Sequence, residues 1–168
     1  MLEQRKQQGR RSSDRRRRDR SRNKPKPVKF TNKISDHFSK RDFVCKESNT
    51  FKVSLGLVGA LEELRGAVRK RITIVKGFEH PDVAEKKGSL KRNFHTQGLA
   101  ADITIEGLEL KEIFKAAESI HAFTGIGLNL EEKYVHVDTR KADRILWVEE
   151  NNNDIPITDE NRKAYIDD

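Results

Sequence analysis

Among 168 residues there is one cysteine, one tryptophan and one methionine, with only two tyrosines and four prolines. A single thiol, Cys45, excludes an intramolecular disulfide and any zinc cluster built from cysteines. It follows Phe43-Val44 and reads as a small packed hydrophobe, not an activated thiolate. No apolar run approaches the roughly 20 residues of a membrane span. The basic N-terminus has no apolar segment behind it, so no secretory signal is expected. Apolar residues are scarce as well: 34% of the chain, against 37% charged, which points to a part that does not fold.

The charge shows which part. Residues 1–30 hold thirteen Lys and Arg against three acids, a net +10, while the whole chain carries +8. Residues 31–168 therefore carry about −2, from 22 basic and 24 acidic side chains. Residues 1–29 read as a disordered Arg-rich tail, either a solvated extension or a tether to a polyanion. Its Arg15–Arg18 run has no interleaved aromatics, so base stacking is not suggested. The folded part is not basic, and the high isoelectric point does not make it a nucleic-acid-binding domain.

One folded domain is expected over residues 30–150, with a polar C-terminal extension, 151–168, loosely held. From Ser54, the positions Leu55, Leu57, Val58, Leu61, Leu64 and Val68 recur at helical spacing. Ile72–Val75 reads as a β-branched strand, followed by a polar loop from Lys76 to Asn93. Ala101–Ile105 alternates as a strand, Leu108–Ile120 as an amphipathic helix, and Gly125–Leu128 and Tyr134–Thr139 as strands. Ile145–Val148 suits a strand or a short helix. Interleaving without βαβ regularity predicts an α+β fold, a small and mainly antiparallel sheet with flanking helices, as a monomer.

The chemistry concentrates in His95-Thr96-Gln97-Gly98-Leu99-Ala100-Ala101-Asp102 and in Tyr134-Val135-His136-Val137-Asp138. Two imidazoles and a carboxylate are the ligand set of an open zinc site, which keeps a position for water. Gly98 permits a turn that brings His95 and Asp102 to one point. Alternation puts Tyr134, His136, Asp138 and Arg140 on one face, with Val135 and Val137 on the core side. His37 and His121 have no such context and read as surface residues, His80 as loop polarity, and Tyr134 and Trp147 as packing residues.

The ordered pattern His-x-x-Gly-x-Ala-x-Asp, a helix, Gly-Ile-Gly and Val-His-Val-Asp-x-Arg resembles the M15 zinc D-Ala-D-Ala carboxypeptidases. Phe43-Val44-Cys45, the helix through Leu55–Leu64 and the strand Ile72–Val75 extend the likeness to roughly Phe30–Trp147. The resemblance implies the fold shared with the hedgehog signalling domain. It also implies Zn2+ held by His95, Asp102 and His136, and hydrolysis of peptide bonds next to D-amino acids in peptidoglycan peptides. The expected setting is then the cytoplasm, or a phage particle with release at lysis.

Three places depart from the family pattern. Asn93 stands where a Ser is usual, a mild change because both hydrogen-bond. Lys76-Gly77-Phe78-Glu79 replaces Ser-Gly-Tyr-Arg, whose Arg helps hold substrate; an acid there repels a substrate carboxylate. Lys133 occupies the position three before His136 where relatives place an acid or a His. The general base is accordingly open between Asp138 and Glu132, with Asp138 equally able to orient an imidazole. Lys91 and Arg92 are possible oxyanion helpers. A catalytically impaired metal-binding module of the same fold, tethered by its tail, is the alternative reading.

Overall fold

A computed structural model describes residues 32–151 and 153–167. The Arg-rich tail, with its expected disorder and polyanion contact, lies outside them. Among the described residues the first helix is the one-turn α1 (Lys40–Phe43), whose Phe43 is fully buried. Helix α2 (Leu55–Val68) begins where the Ser54 hydroxyl accepts the Gly56 amide, and it buries Leu57, Leu61 and Leu64. Strand β1 (Ile72–Lys76) follows.

The polar stretch after β1 is not all loop. His80 caps a short helix α3 (Pro81–Lys86), accepting the Asp82 amide, with Pro81 placed where a missing N–H costs nothing. A second single turn, α4 (Phe94–Gln97), ends at Gly98 in the left-handed conformation (φ 71°). A Cβ there would also stand 2.9 Å from the Lys52 carbonyl oxygen, so the turn requires glycine. Next come β2 (Ala100–Ile105), α5 (Leu110–Glu118), β3 (Gly125–Asn129), β4 (Tyr134–Asp138), β5 (Ile145–Glu150) and β6 (Asn153–Pro156).

The six strands form one sheet in the order β1-β2-β4-β3-β5-β6. It is mixed, which corrects the expectation of a mainly antiparallel sheet. β4 reverses β3, and the chain then crosses to the far side of β3, so that β5 runs parallel to it. Ile103, Ile126, Leu128, Val135, Val137 and Val148 point to one face and pack with α2 and α5 into a single apolar core. Phe114 and Phe123 fill its centre. The polar C-terminal segment belongs to this unit. β6 pairs with β5, Ile166 of a π-helical turn (Lys163–Asp167) is fully buried, and Arg162 bridges to Glu118 of α5.

Candidate metal centre

The sheet face opposite the core carries the candidate residues, and strand register puts them in one row. Across the sheet run Lys76, Asp102, His136, Gly127 and Trp147, each the cross-strand partner of the next. Asp102 and His136 are therefore neighbours by backbone pairing. His95 arrives from α4, whose entry Asn93 caps: its side-chain oxygen accepts the Thr96 amide at 2.9 Å, and the Thr96 hydroxyl accepts the Asn93 amide. Asn in place of Ser thus preserves the turn that carries the first imidazole.

Three atoms converge. His95 Nε2 lies 3.3 Å from His136 Nδ1 and 3.3 Å from Asp102 Oδ1, and His136 Nδ1 lies 2.8 Å from the same oxygen. The far side of each ring offers an acceptor to its outer nitrogen. His95 Nδ1 is 2.8 Å from the Gly77 carbonyl, which can only accept, and His136 Nε2 is 3.3 Å from an Asp138 carboxylate oxygen. His95 Nδ1 therefore donates and its Nε2 presents a lone pair, whereas His136 has a carboxylate oxygen beside each nitrogen, Asp102 at 2.8 Å and Asp138 at 3.3 Å, so that Nδ1 can be given up to a cation while Nε2 donates. Such a cluster requires a cation or a proton at its centre.

The spacing suits a metal. Ligands about 2.0–2.1 Å from a tetrahedral zinc stand about 3.3 Å from one another. His95, Asp102 and His136 are also the one His/Cys/Asp/Glu group among the described residues with metal-ligand geometry. In the metal-free chain a proton on His136 serves in place of the cation. Burial pushes the Asp102 carboxyl up, but hydrogen bonds from His136 and His95 outweigh it and hold the group well below the usual carboxylate range. Burial opposes charging of His136, yet the bonds to Asp102 and Asp138 raise its imidazole to about 9.

Asp138 sits behind the row, fully buried. Arg140 donates to both its oxygens, through Nε at 2.8 and 3.0 Å and through Nη2. Burial pushes this carboxyl up, but Arg140 and then His136 outweigh it and bring it down to about 2. Gly125 makes the room, since a Cβ there would collide with the carboxylate. Gly127 does the same for the Trp147 indole, which packs 5.4 Å from the His136 ring. The Gly-Ile-Gly strand is therefore a floor shaped for two large neighbours. The Arg140 guanidinium is held in turn over Phe94, 4.0 Å from its ring centre.

The other sequence candidates divide. Glu132 is exposed on the β3–β4 turn, and its amide donates to Asn129 Oδ1. It lines a neighbouring cleft with Lys76, Glu79 and Lys87, not the one above the cluster, and its charge follows burial, Asp102 and Glu149 in raising the Tyr134 hydroxyl. Lys133 adopts a left-handed backbone in the same turn (φ 59°) and is exposed. Glu79 is buried (3% exposed), between Lys76 at 3.3 Å and Lys87 at 3.5 Å. Lys91 pairs with Asp82 and Glu85. Cys45 is buried, His37 pairs with Glu62 on the surface and His121 is exposed.

An open cleft of about 520 Å³ lies above the cluster. Its walls include residues that alternation alone did not single out: Lys76, Asn129, Glu149 and Asp154. Asn129 ties one end together, donating to Tyr134 Oη at 3.2 Å and to Glu149 Oε2 at 2.9 Å.

Comparison with known proteins gives the same direction. The Peptidase M15 family pattern matches residues 30–138. A peptidoglycan L,D-endopeptidase, MepK, of Escherichia coli K12 is 36% identical over 94 residues, covering 52% of this chain and 51% of that protein. MepK of Shigella flexneri aligns with the same identity and coverage. The chain spans about half the length of these relatives.

Proposed function

The chain belongs to the peptidase M15 family, and from that premise we propose that it is a zinc-dependent hydrolase of peptidoglycan peptides. It cuts a bond next to a D-residue, as an endopeptidase of L,D type or a D-Ala-D-Ala carboxypeptidase. The observation that carries this is the convergence of His95 Nε2, His136 Nδ1 and Asp102 Oδ1 in an open cleft. These three residues hold the metal. Zinc bound there supplies Lewis acidity and activates water at neutral pH.

The remaining roles belong to the chain's own groups. Gly77 and Asp138 fix the two imidazoles in the tautomers that turn lone pairs inward. Arg140 keeps Asp138 ionised and pinned, so Asp138 positions His136 and is not free to shuttle a proton. Proton transfer to the leaving amine falls to Glu132, whose carboxylate has no hydrogen-bond partner among the described residues. Trp147 and Tyr134 line the cleft and give the peptide an apolar and a polar side.

The second reading, a metal-binding module without turnover, draws on Glu79 and Lys133. One experiment separates them: the full chain with one equivalent of zinc is incubated with isolated peptidoglycan and with stem peptides, and products are read by chromatography and mass spectrometry. New fragments cut beside a D-residue are expected. Stoichiometric zinc with no fragments would establish the module instead.

A further inference from the structure

The cleft beside the cluster is rich in negative charge and contains one cation. Asp102, Glu149 and Asp154 line it, and Lys76 is the sole Lys or Arg among the described residues that do. Lys76 reaches that position through an irregularity in β1. The pairing of Ile74 with Ile103 is followed by Lys76 with Asp102, so Val75 and Lys76 together oppose one residue. A bulge of this kind re-aims a side chain. Without it Val75 would stand opposite Asp102; with it the ammonium joins the row that holds Asp102 and His136.

The surroundings hold Lys76 there without using up its donors. Glu79 is buried, and a buried carboxylate needs a cation. Its ion contacts are Lys76 and Lys87, and Lys87 is already engaged with Glu47 at 2.6 Å. The approach of Lys76 to Glu79 Oε2 at 3.3 Å lacks hydrogen-bond alignment, and that oxygen has no hydrogen-bond donor among the described residues. Lys76 Nζ likewise donates no hydrogen bond to the described residues, and its side chain is 40% exposed. Glu79 therefore acts as a local counter-charge that keeps an ammonium at the cleft with donors left for a ligand.

We infer that Lys76, braced by Glu79, binds a carboxylate of the substrate peptide beside the His95–Asp102–His136 cluster. This rests on the hydrolase reading above and specifies how its substrate is held. The positive charge absent from position 79 stands at position 76 instead. The same layout orients the peptide: its anionic end lies toward β1, away from Glu149 and Asp154 on β5 and β6.

The test uses the full zinc-loaded chain and a pair of N-acetylated stem tetrapeptides, one with a free C-terminal carboxylate and one with a C-terminal amide. The single tryptophan, Trp147, lies in the cleft and reports binding by stopped-flow fluorescence before turnover. Wild type is expected to prefer the carboxylate by about tenfold, the size of one hydrogen bond to a charged group. That preference should collapse toward unity in Lys76→Met, survive in Lys76→Arg and fall between in Glu79→Gln. A wild type without preference, or a Lys76→Met that keeps it, overturns the assignment. Turnover of peptidoglycan measured in parallel tells the two ideas apart. Turnover without carboxylate preference removes only the Lys76 role; carboxylate preference without turnover supports that role and removes only the hydrolase reading.

Discussion

The floor of the cleft and its wall are built by different means. Asp102 and His136 stand on β2 and β4, two central strands whose register makes them cross-strand partners, above a core with Val135 and Val137 fully buried. The wall, residues 77–92, is one short helix and turns, held by charge contacts such as Lys87 with Glu47 and Lys91 with Glu85. A backbone ladder positions ligands to a fraction of an ångström and is costly to alter. Surface ion pairs are each worth about 0–1 kcal/mol and exchange readily. The residues that match the family pattern sit on the floor, and the departures from it, Asn93 apart, sit on the edge strand, in the wall and in a turn, at Lys76, Glu79 and Lys133. Selectivity changes most easily where little of the fold depends on it.

The sharpest break between the two regions comes from the ligands. His95→Ala and His136→Ala are each expected to weaken zinc by more than about a hundredfold and to abolish turnover, with the circular dichroism spectrum retained. Unchanged zinc content in both would dismantle the floor assignment. Glu132→Gln is next: kcat is expected to drop by about a hundredfold or more with zinc content unchanged. A Glu132→Gln enzyme of full activity would move proton transfer to another group, Glu149 and Asp154 being the acids of the cleft outside the ligand set. Asp138→Asn should cost about 10–100-fold in zinc affinity, measured by chelator competition, because the His136 imidazole loses its anionic anchor.

The smallest effect is a pH dependence of the metal-free chain. The folded pKa of His136, about 9, lies above its unfolded value of about 6.5. Its contribution is therefore fully present below about pH 6.5 and is lost as pH rises through about 9. Asp138, brought down to about 2, behaves oppositely: its contribution is present above about pH 4 and is lost as pH falls toward 2. Metal-free protein should melt several degrees lower at pH 9 than at pH 6, and one equivalent of zinc should flatten that difference. An equal slope with and without zinc would detach the metal from His136.

The floor was largely legible in the sequence because its signals are local. Alternation across Tyr134–Asp138 states which side chains share a face, and His95-x-x-Gly98 states where the chain turns. The Gly125-Ile126-Gly127 strand was visible, but not that its glycines make room for Asp138 and Trp147. The wall was much less legible. α3 is only six residues, half of them charged, too short for periodicity to show. The bulge that turns Lys76 into the cleft depends on pairing with β2, which no local pattern encodes. Glu149 and Asn129 escaped for a related reason, since their meeting requires β5 to run parallel to β3. The C-terminal segment looked loose because it is polar, yet Ile166 anchors it in the core.

Anomalous scattering at the zinc edge from crystals of the zinc-loaded full chain tests the central claim most directly. One peak bounded by His95 Nε2, His136 Nδ1 and Asp102 Oδ1 is the result expected. A peak elsewhere, or zinc held through the opposite nitrogen of either histidine, would contradict it.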